Sequence, residues 1–178
     1  MLAGNPQGVV ISNGPGDPER MLATAALVKD LMGRGMPTMG ICLGHQVIGL
    51  AAGGTTSRLR FGHHGGNHPV RDLASGRIHI TSQNHEFQVD AGSIHESSGL
   101  FVSMVNLNDG SVEGLAHRDL PLFSVQYHPE GCPGPQDNQY LFERFLAMVE
   151  HPVSGALALS QEPRGATTAI PRSSGVSA

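Results

Sequence analysis

The hydrophobic residues of the first fifty positions fall into two short unbroken runs separated by one amphipathic stretch. GVVIS, residues 8–12, is β-branched and continuous rather than alternating, which predicts a strand buried on both faces. The loop NGPGDPE interrupts regular structure with two glycines and two prolines, and its Asp17 and Pro18 suit the N-cap and first turn of a helix. Met21, Ala25, Val28 and Met32 then recur at helical spacing, with Lys29, Asp30 and Arg34 off that stripe, and the helix is predicted to stop at Gly33 to Gly35. PTMGI gives a second buried strand, which runs at Cys42 straight into the small-residue helix LGHQVIGLAAGG. Strand, loop, helix, strand, bend, helix is a βαβα unit on a parallel sheet.

Between Thr55 and Val125 the pattern changes to short β-rich runs, TTSRLR, RIHITS, FQVD, FVSMV and VEGLAH, separated by Gly, Asn and Asp. No crossover helices intervene, so these are predicted to be antiparallel strands that extend or cover the parallel sheet. Within this region FGHHGGNHP, residues 61–69, reads as a structured polar loop. Its three histidines would need further ligands at suitable spacing to hold a metal, and no CxxC or HExxH accompanies them, so no metal site is assigned. PLFSVQY alternates Phe123, Val125 and Tyr127 against Ser124 and Gln126, as a strand that delivers His128 and Glu130 at its end. QDNQYLFERFLAMVE places Leu141, Phe142, Phe145, Leu146 and Val149 on one helical face. From residue 152 the chain lacks aromatics and periodicity and is rich in Ser, Gly, Pro and Ala, which predicts a disordered tail over 152–178. The expected fold is α/β: one domain over residues 1–151, with an open, mixed, mainly parallel sheet flanked by helices.

Composition narrows the partners. A formal net charge of −4 and the absence of a dense basic run argue against nucleic acid or an anionic membrane surface. No apolar run reaches the length needed to span a bilayer. Two cysteines, Cys42 and Cys132, do not make a disulfide framework, and MLAGNPQGVV lacks the basic and apolar regions of a signal peptide, so a cytoplasmic location is expected.

The chemistry concentrates at GICLGHQ, residues 40–46. Gly40 and Gly44 flank Cys42 at minus two and plus two, as in GxSxG hydrolases, where a side chain at either place would crowd the tight turn that presents the nucleophile. At a helix N-terminus the unpaired N–H groups and the macrodipole favour a thiolate, the reactive form. In an open α/β sheet, ligands sit beyond the carboxyl ends of the strands, which is where NGPGDPE and the bend at Cys42 both fall. A base two residues before a carboxylate lets the carboxylate hold the imidazole's other nitrogen, so Cys42, His128 and Glu130 form a candidate nucleophile, base and orienter. Read without partners, Cys42 is a small buried hydrophobe, NGPGDP an ordinary turn and HPE a turn leading into a helix.

With SNGPGDPE, GICLGHQ and HPE in this order, the sequence resembles the class I (triad) glutamine amidotransferases over residues 8 to about 150. FGHHGGNHPV, SQNHEF and HPEGCPGPQDN are similar to the small, glutamine-hydrolysing chain of carbamoyl-phosphate synthase rather than to anthranilate synthase, GMP synthetase or CTP synthetase. The resemblance implies a flavodoxin-like sheet and attack of Cys42 on the glutamine side-chain amide, with His128 moving protons and Glu130 orienting it. It places Gly14, Gly16, Leu43, Gln46, Asn84, Glu86 and Phe87 at the glutamine-binding positions, with the backbone of Gly14 and Leu43 serving the oxyanion. It further implies that ammonia passes to a large subunit that makes carbamoyl phosphate for pyrimidine and arginine synthesis. No cofactor is expected in this chain, and ATP and magnesium are expected only on that large subunit.

Three departures accompany the resemblance. The family's small chain has an N-terminal domain and an opening strand and helix ahead of the strand that here is GVVIS, so an N-terminally truncated domain is expected. Glu86 stands where glycine is usual, and Cys132 where serine is expected. The functional alternatives at this point are a catalytically impaired binding or assembly module, another triad amidotransferase subunit such as that of anthranilate synthase, and a cysteine hydrolase that works without a synthetase.

Overall fold

The structure is a computed structural model and describes residues 4–131 and 138–160. Strand β1 (Val9–Ile11) leads through a 3-10 turn, Pro18–Arg20, into helix α1 (Leu22–Gly33), then β2 (Thr38–Ile41) and α2 (Leu43–Ala51). Asp17 caps the turn by accepting from the Glu19 N–H, and Pro18 occupies its first position, so the predicted helix start marks a 3-10 turn just ahead of α1. Strands β3 (Thr56–Asp72), β4 (Ile78–Val89), β5 (Leu100–Asn106), β6 (Val112–His117) and β7 (Leu122–Val125) follow, then α3 (Tyr140–Glu150) and α4 (Gly155–Ser160).

All seven strands form one mixed sheet in the order β1-β2-β7-β6-β5-β3-β4. β1, β2 and β7 are mutually parallel, with Val9 opposite Thr38 and Thr38 opposite Leu122, whereas every pairing from β7 outward to β4 is antiparallel. Helices cover both faces. One core joins Val28 and Leu31 of α1 and Val47 and Ile48 of α2 to Ile11, Leu115 and Leu122. The other joins Leu141, Phe145 and Met148 of α3 and Leu159 of α4 to Met39, Ile41, Phe123 and Val125. The molecule is therefore a three-layer α/β/α sandwich.

Several local expectations are revised. β1 is not buried on both faces: it lies at one edge of the sheet among the described residues, Val9 and Ile11 pack with α1 and α2 while Val10 on the opposite face is 42% exposed, and a continuous apolar run does not encode which face is covered. FGHHGGNHP is not a loop but part of the long strand β3, paired with β4 and interrupted by register shifts between Arg58 and His63 and between Gly65 and His68. Glycines at positive φ, Gly62 and Gly65, supply the irregular turns of that strand that a β-branched residue could not. On α3 the buried stripe includes Met148, while Leu146 is exposed. The expected disorder from residue 152 does not hold for its first residues, since Gly155–Ser160 is a short helix with Ala158 and Leu159 in the core. The remainder of that tail, 161–178, and Cys132 lie outside the described residues.

Candidate active site

Three parallel strands end at the same edge of the sheet, and each hands over one part of the site. β1 leads to the loop containing Gly14 and Gly16, β2 to Cys42, and β7 to His128 and Glu130. Cys42 sits between β2 and α2 at φ 51 and ψ −105, a conformation that L residues rarely adopt and that costs of order 1–3 kcal/mol. The flanking glycines make the bend possible. A Cβ on Gly44 would lie 2.0 Å from the Ile11 carbonyl oxygen, and one on Gly40 would lie 2.9 Å from the Gly44 backbone, so neither position has room for a side chain.

His128 is held from both sides. Its Nδ1 is 2.8 Å from Glu130 Oε1, and its backbone N–H donates to the Ser82 carbonyl of β4. Its Nε2 is buried and has no partner with full hydrogen-bond geometry, yet the Cys42 thiol lies close enough to be the largest influence on its protonation. Catalytic pairs are commonly loose before substrate aligns them. The thiol and then Glu130 raise the imidazole from 6.5 to about 10, against the opposing effect of burial. Partial desolvation pushes the Glu130 carboxyl up, but the His128 ring and Glu130's own backbone N–H together hold it below its ordinary range. Imidazolium and carboxylate therefore persist across neutral pH.

Cys42 itself is 5% exposed and forms part of the lining of a pocket of about 400 Å³. Every residue expected at the glutamine-binding positions, Gly14, Gly16, Leu43, Gln46, Asn84, Glu86 and Phe87, lines the same pocket. Gln46 does so as a buried link, its Nε2 donating to the Phe87 carbonyl at 2.9 Å and to Gln126 Oε1 at 3.1 Å. Asn84 Oδ1 faces His64 Nδ1 at 3.1 Å. Glu86 is at negative φ within β4, so it carries no left-handed strain, and its carboxylate is engaged by the Arg58 guanidinium on β3.

Sequence reasoning missed Gln126, which is fully buried and whose Nε2 points at Cys42 Sγ at 3.8 Å. The signal available was a large polar residue at the end of an apolar strand, and alternation alone set it on the face opposite Phe123, Val125 and Tyr127. His64 and His85 also line the pocket without having been anticipated. Burial pushes His85 down to about 4 and His45, which is fully enclosed and faces Ser124 Oγ at 2.9 Å, down to about 3. Both rings are neutral near pH 7.

Comparison with known proteins matches residues 1–148 to glutamine amidotransferase class-I. The chain belongs to that family. The carbamoyl phosphate synthase small chain of Symbiobacterium thermophilum is 56% identical over 151 residues, 84% of this amidotransferase chain and 41% of the relative. That of Aquifex aeolicus is 53% identical over 146 residues, 82% of this chain and 38% of the relative. The amidotransferase chain thus spans about two fifths of the length of these curated relatives. Among solved structures, the glutaminase domain of a Trypanosoma brucei CTPS with bound acivicin shares its fold at a TM-score of 0.66 and 17% identity, covering 81% of this chain and 71% of that one. A Thermotoga maritima glutamine amidotransferase does so at 0.57 and 14%, covering 84% and 68%. No helix among the described residues is long and apolar enough to cross a membrane.

Proposed function

We propose that this amidotransferase domain hydrolyses L-glutamine to glutamate and ammonia through a Cys42 thioester. The observation that carries the reading is the placement of the His128 ring, backed by Glu130 at 2.8 Å, beside the sulfur of a cysteine held at a strained strand-to-helix bend. The Cys42 thiolate adds to the side-chain amide carbon, and the backbone N–H groups of Leu43 and Gly14 receive the oxyanion. The His128 imidazolium gives its proton to the departing amide nitrogen, which leaves as ammonia. The neutral ring then takes a proton from water, which attacks the thioester, releases glutamate and restores the thiolate–imidazolium pair. The amide of Gln126 supports the sulfur through its N–H. Arg58 offsets the carboxylate of Glu86 at the pocket, which lessens repulsion of the substrate's own carboxylate.

Relatives described as carbamoyl phosphate synthase small chains support a role in delivering the ammonia to a large synthetase subunit for carbamoyl phosphate formation. Release of glutamate from glutamine by the full protein, alone and with that subunit, tests the reading. Cys42→Ser is expected to lower turnover by roughly a thousandfold or more while leaving the melting temperature near the parent's. Unchanged turnover in that variant overturns it.

A further inference from the structure

Sharing His85 with the wall of the pocket lies a second constellation that the amidotransferase chemistry does not use. His63 of β3, His85 of β4 and Glu113 of β6 are 6%, 6% and 0% exposed, and one donor atom from each lies within 4.8 Å of the others. FGHHGGNHP alone offered histidines without a further ligand. The sheet supplies one from fifty residues downstream in Glu113.

His63 is oriented as a ligand would be, whereas His85 becomes one only when Gln83 Oε1 moves aside from its Nε2. His63 Nε2 is 2.8 Å from Asp109 Oδ2, so the proton belongs on Nε2 and the Nδ1 lone pair is turned inward. That Nδ1 is buried without a partner of full hydrogen-bond geometry and lies 3.3 Å from Glu113 Oε1. Two donors each about 2.0–2.1 Å from a tetrahedral zinc ion are separated by about this distance. His85 faces oxygen at both ring nitrogens, the Phe87 carbonyl from Nδ1 and Gln83 Oε1 from Nε2, each at 2.8 Å. A neutral imidazole carries one ring proton, so one lone pair is left against an oxygen. Turning the Gln83 amide does not relieve this, because its Nε2 donates to Glu113 Oε2 at 2.9 Å and reversal would put oxygen against carboxylate. Asn106 Nδ2 holds the other Glu113 oxygen at 3.0 Å.

The cluster thus gathers a buried carboxylate and two imidazole lone pairs with too few protons to go between them. We propose that His63, His85 and Glu113 bind one divalent transition-metal ion of the zinc class, with Asp109 and the Phe87 carbonyl fixing the two rings from outside. The nitrogen-and-oxygen donor set suits zinc among the common biological divalent cations, and three protein ligands leave the fourth position to water. The ion joins three strands, one of which, β4, carries Asn84, Glu86 and Phe87 into the pocket, so it stiffens the pocket wall without touching the nucleophile. The competing occupant is a proton on His63, whose affinity for it is raised by Glu113 first and by Asp109.

Metal binding to the full protein in a Cys42→Ser background, which removes the thiol as a rival ligand, separates the two. After chelator treatment and zinc addition, one equivalent of zinc is expected to survive gel filtration, and cobalt in its place is expected to show the visible bands of a tetrahedral site. Asp109→Asn, at a residue whose side chain is 42% exposed and whose loss leaves the core intact, is expected to weaken zinc binding by about 10–100-fold, and His63→Gln to abolish it. No retained zinc, an octahedral cobalt spectrum, or binding unchanged in Asp109→Asn each overturns the proposal in favour of the proton. If His63→Gln fails to fold by circular dichroism, the cobalt spectrum of the parent decides.

Discussion

The two halves of the sheet are built on opposite principles. The parallel half, β1, β2 and β7 with α2, is tightly packed around the bend at Cys42, and its tolerance is steric: Gly40 and Gly44 have no room for a methyl group. The antiparallel half, β3 to β6, buries charge and amide groups, with Glu113 fully enclosed at the centre of bonds from Gln83 and Asn106 and an approach by His63. One half forces the backbone at Cys42 into an unusual shape. The other shapes the pocket wall by satisfying polar groups that would otherwise be costly to bury.

The difference can be broken from either side. Glu113→Leu fills the space with apolar volume but strands the donors of Gln83 and Asn106 and leaves His63 and His85 without their carboxylate. It is expected to cost about 3–5 kcal/mol in urea unfolding, whereas Glu113→Gln, which keeps one of the two acceptors and sets an NH2 against the other donor, is expected to cost less. On the parallel side Gly44→Ala drives a methyl group into the Ile11 carbonyl and is expected to cost about 3 kcal/mol, with glutaminase activity falling out of proportion because the elbow itself must move. If a conservative insertion in the parallel half proved harmless while the polar half also tolerated Leu, the contrast would be lost.

A pH series sharpens the same contrast. His128 is raised from 6.5 to about 10 in the folded protein by Cys42 and Glu130, so the stability it contributes is fully present below pH 6.5 and is lost as pH rises through about 10. The urea midpoint of the parent is expected to fall across that window. Cys42→Ser removes the largest cause of the shift, so a shallower alkaline decline is expected in the variant. Identical declines in the two proteins would mean that the thiol does not sustain the imidazolium.

Much of the parallel half was legible in the chain. Continuous apolar runs, the glycines around Cys42 and the HPE pair each reflect a local backbone or spacing requirement, and local requirements are written in adjacent residues. Which face of β1 is covered was not legible, because Val10 reads the same whether or not a neighbour covers it. Strand β3 was hidden by its own composition: glycine and histidine read as loop, and only the ladder supplied by β4, with its two register shifts, makes FGHHGGNHP extended. Gln126 beside the sulfur and Glu113 between the histidines were invisible for a related reason. Each acquires its role from a residue at least 28 positions away, through sheet pairing that periodicity does not report.

The pairing of Cys42 with His128 is tested most directly by covalent capture. A glutamine analogue bearing an electrophilic ketone, followed by peptide mass spectrometry, is expected to label Cys42, with protection by glutamine and with labelling slowed at least about tenfold in His128→Asn. Labelling of Cys42 that ignores both glutamine and the loss of His128 would contradict the account.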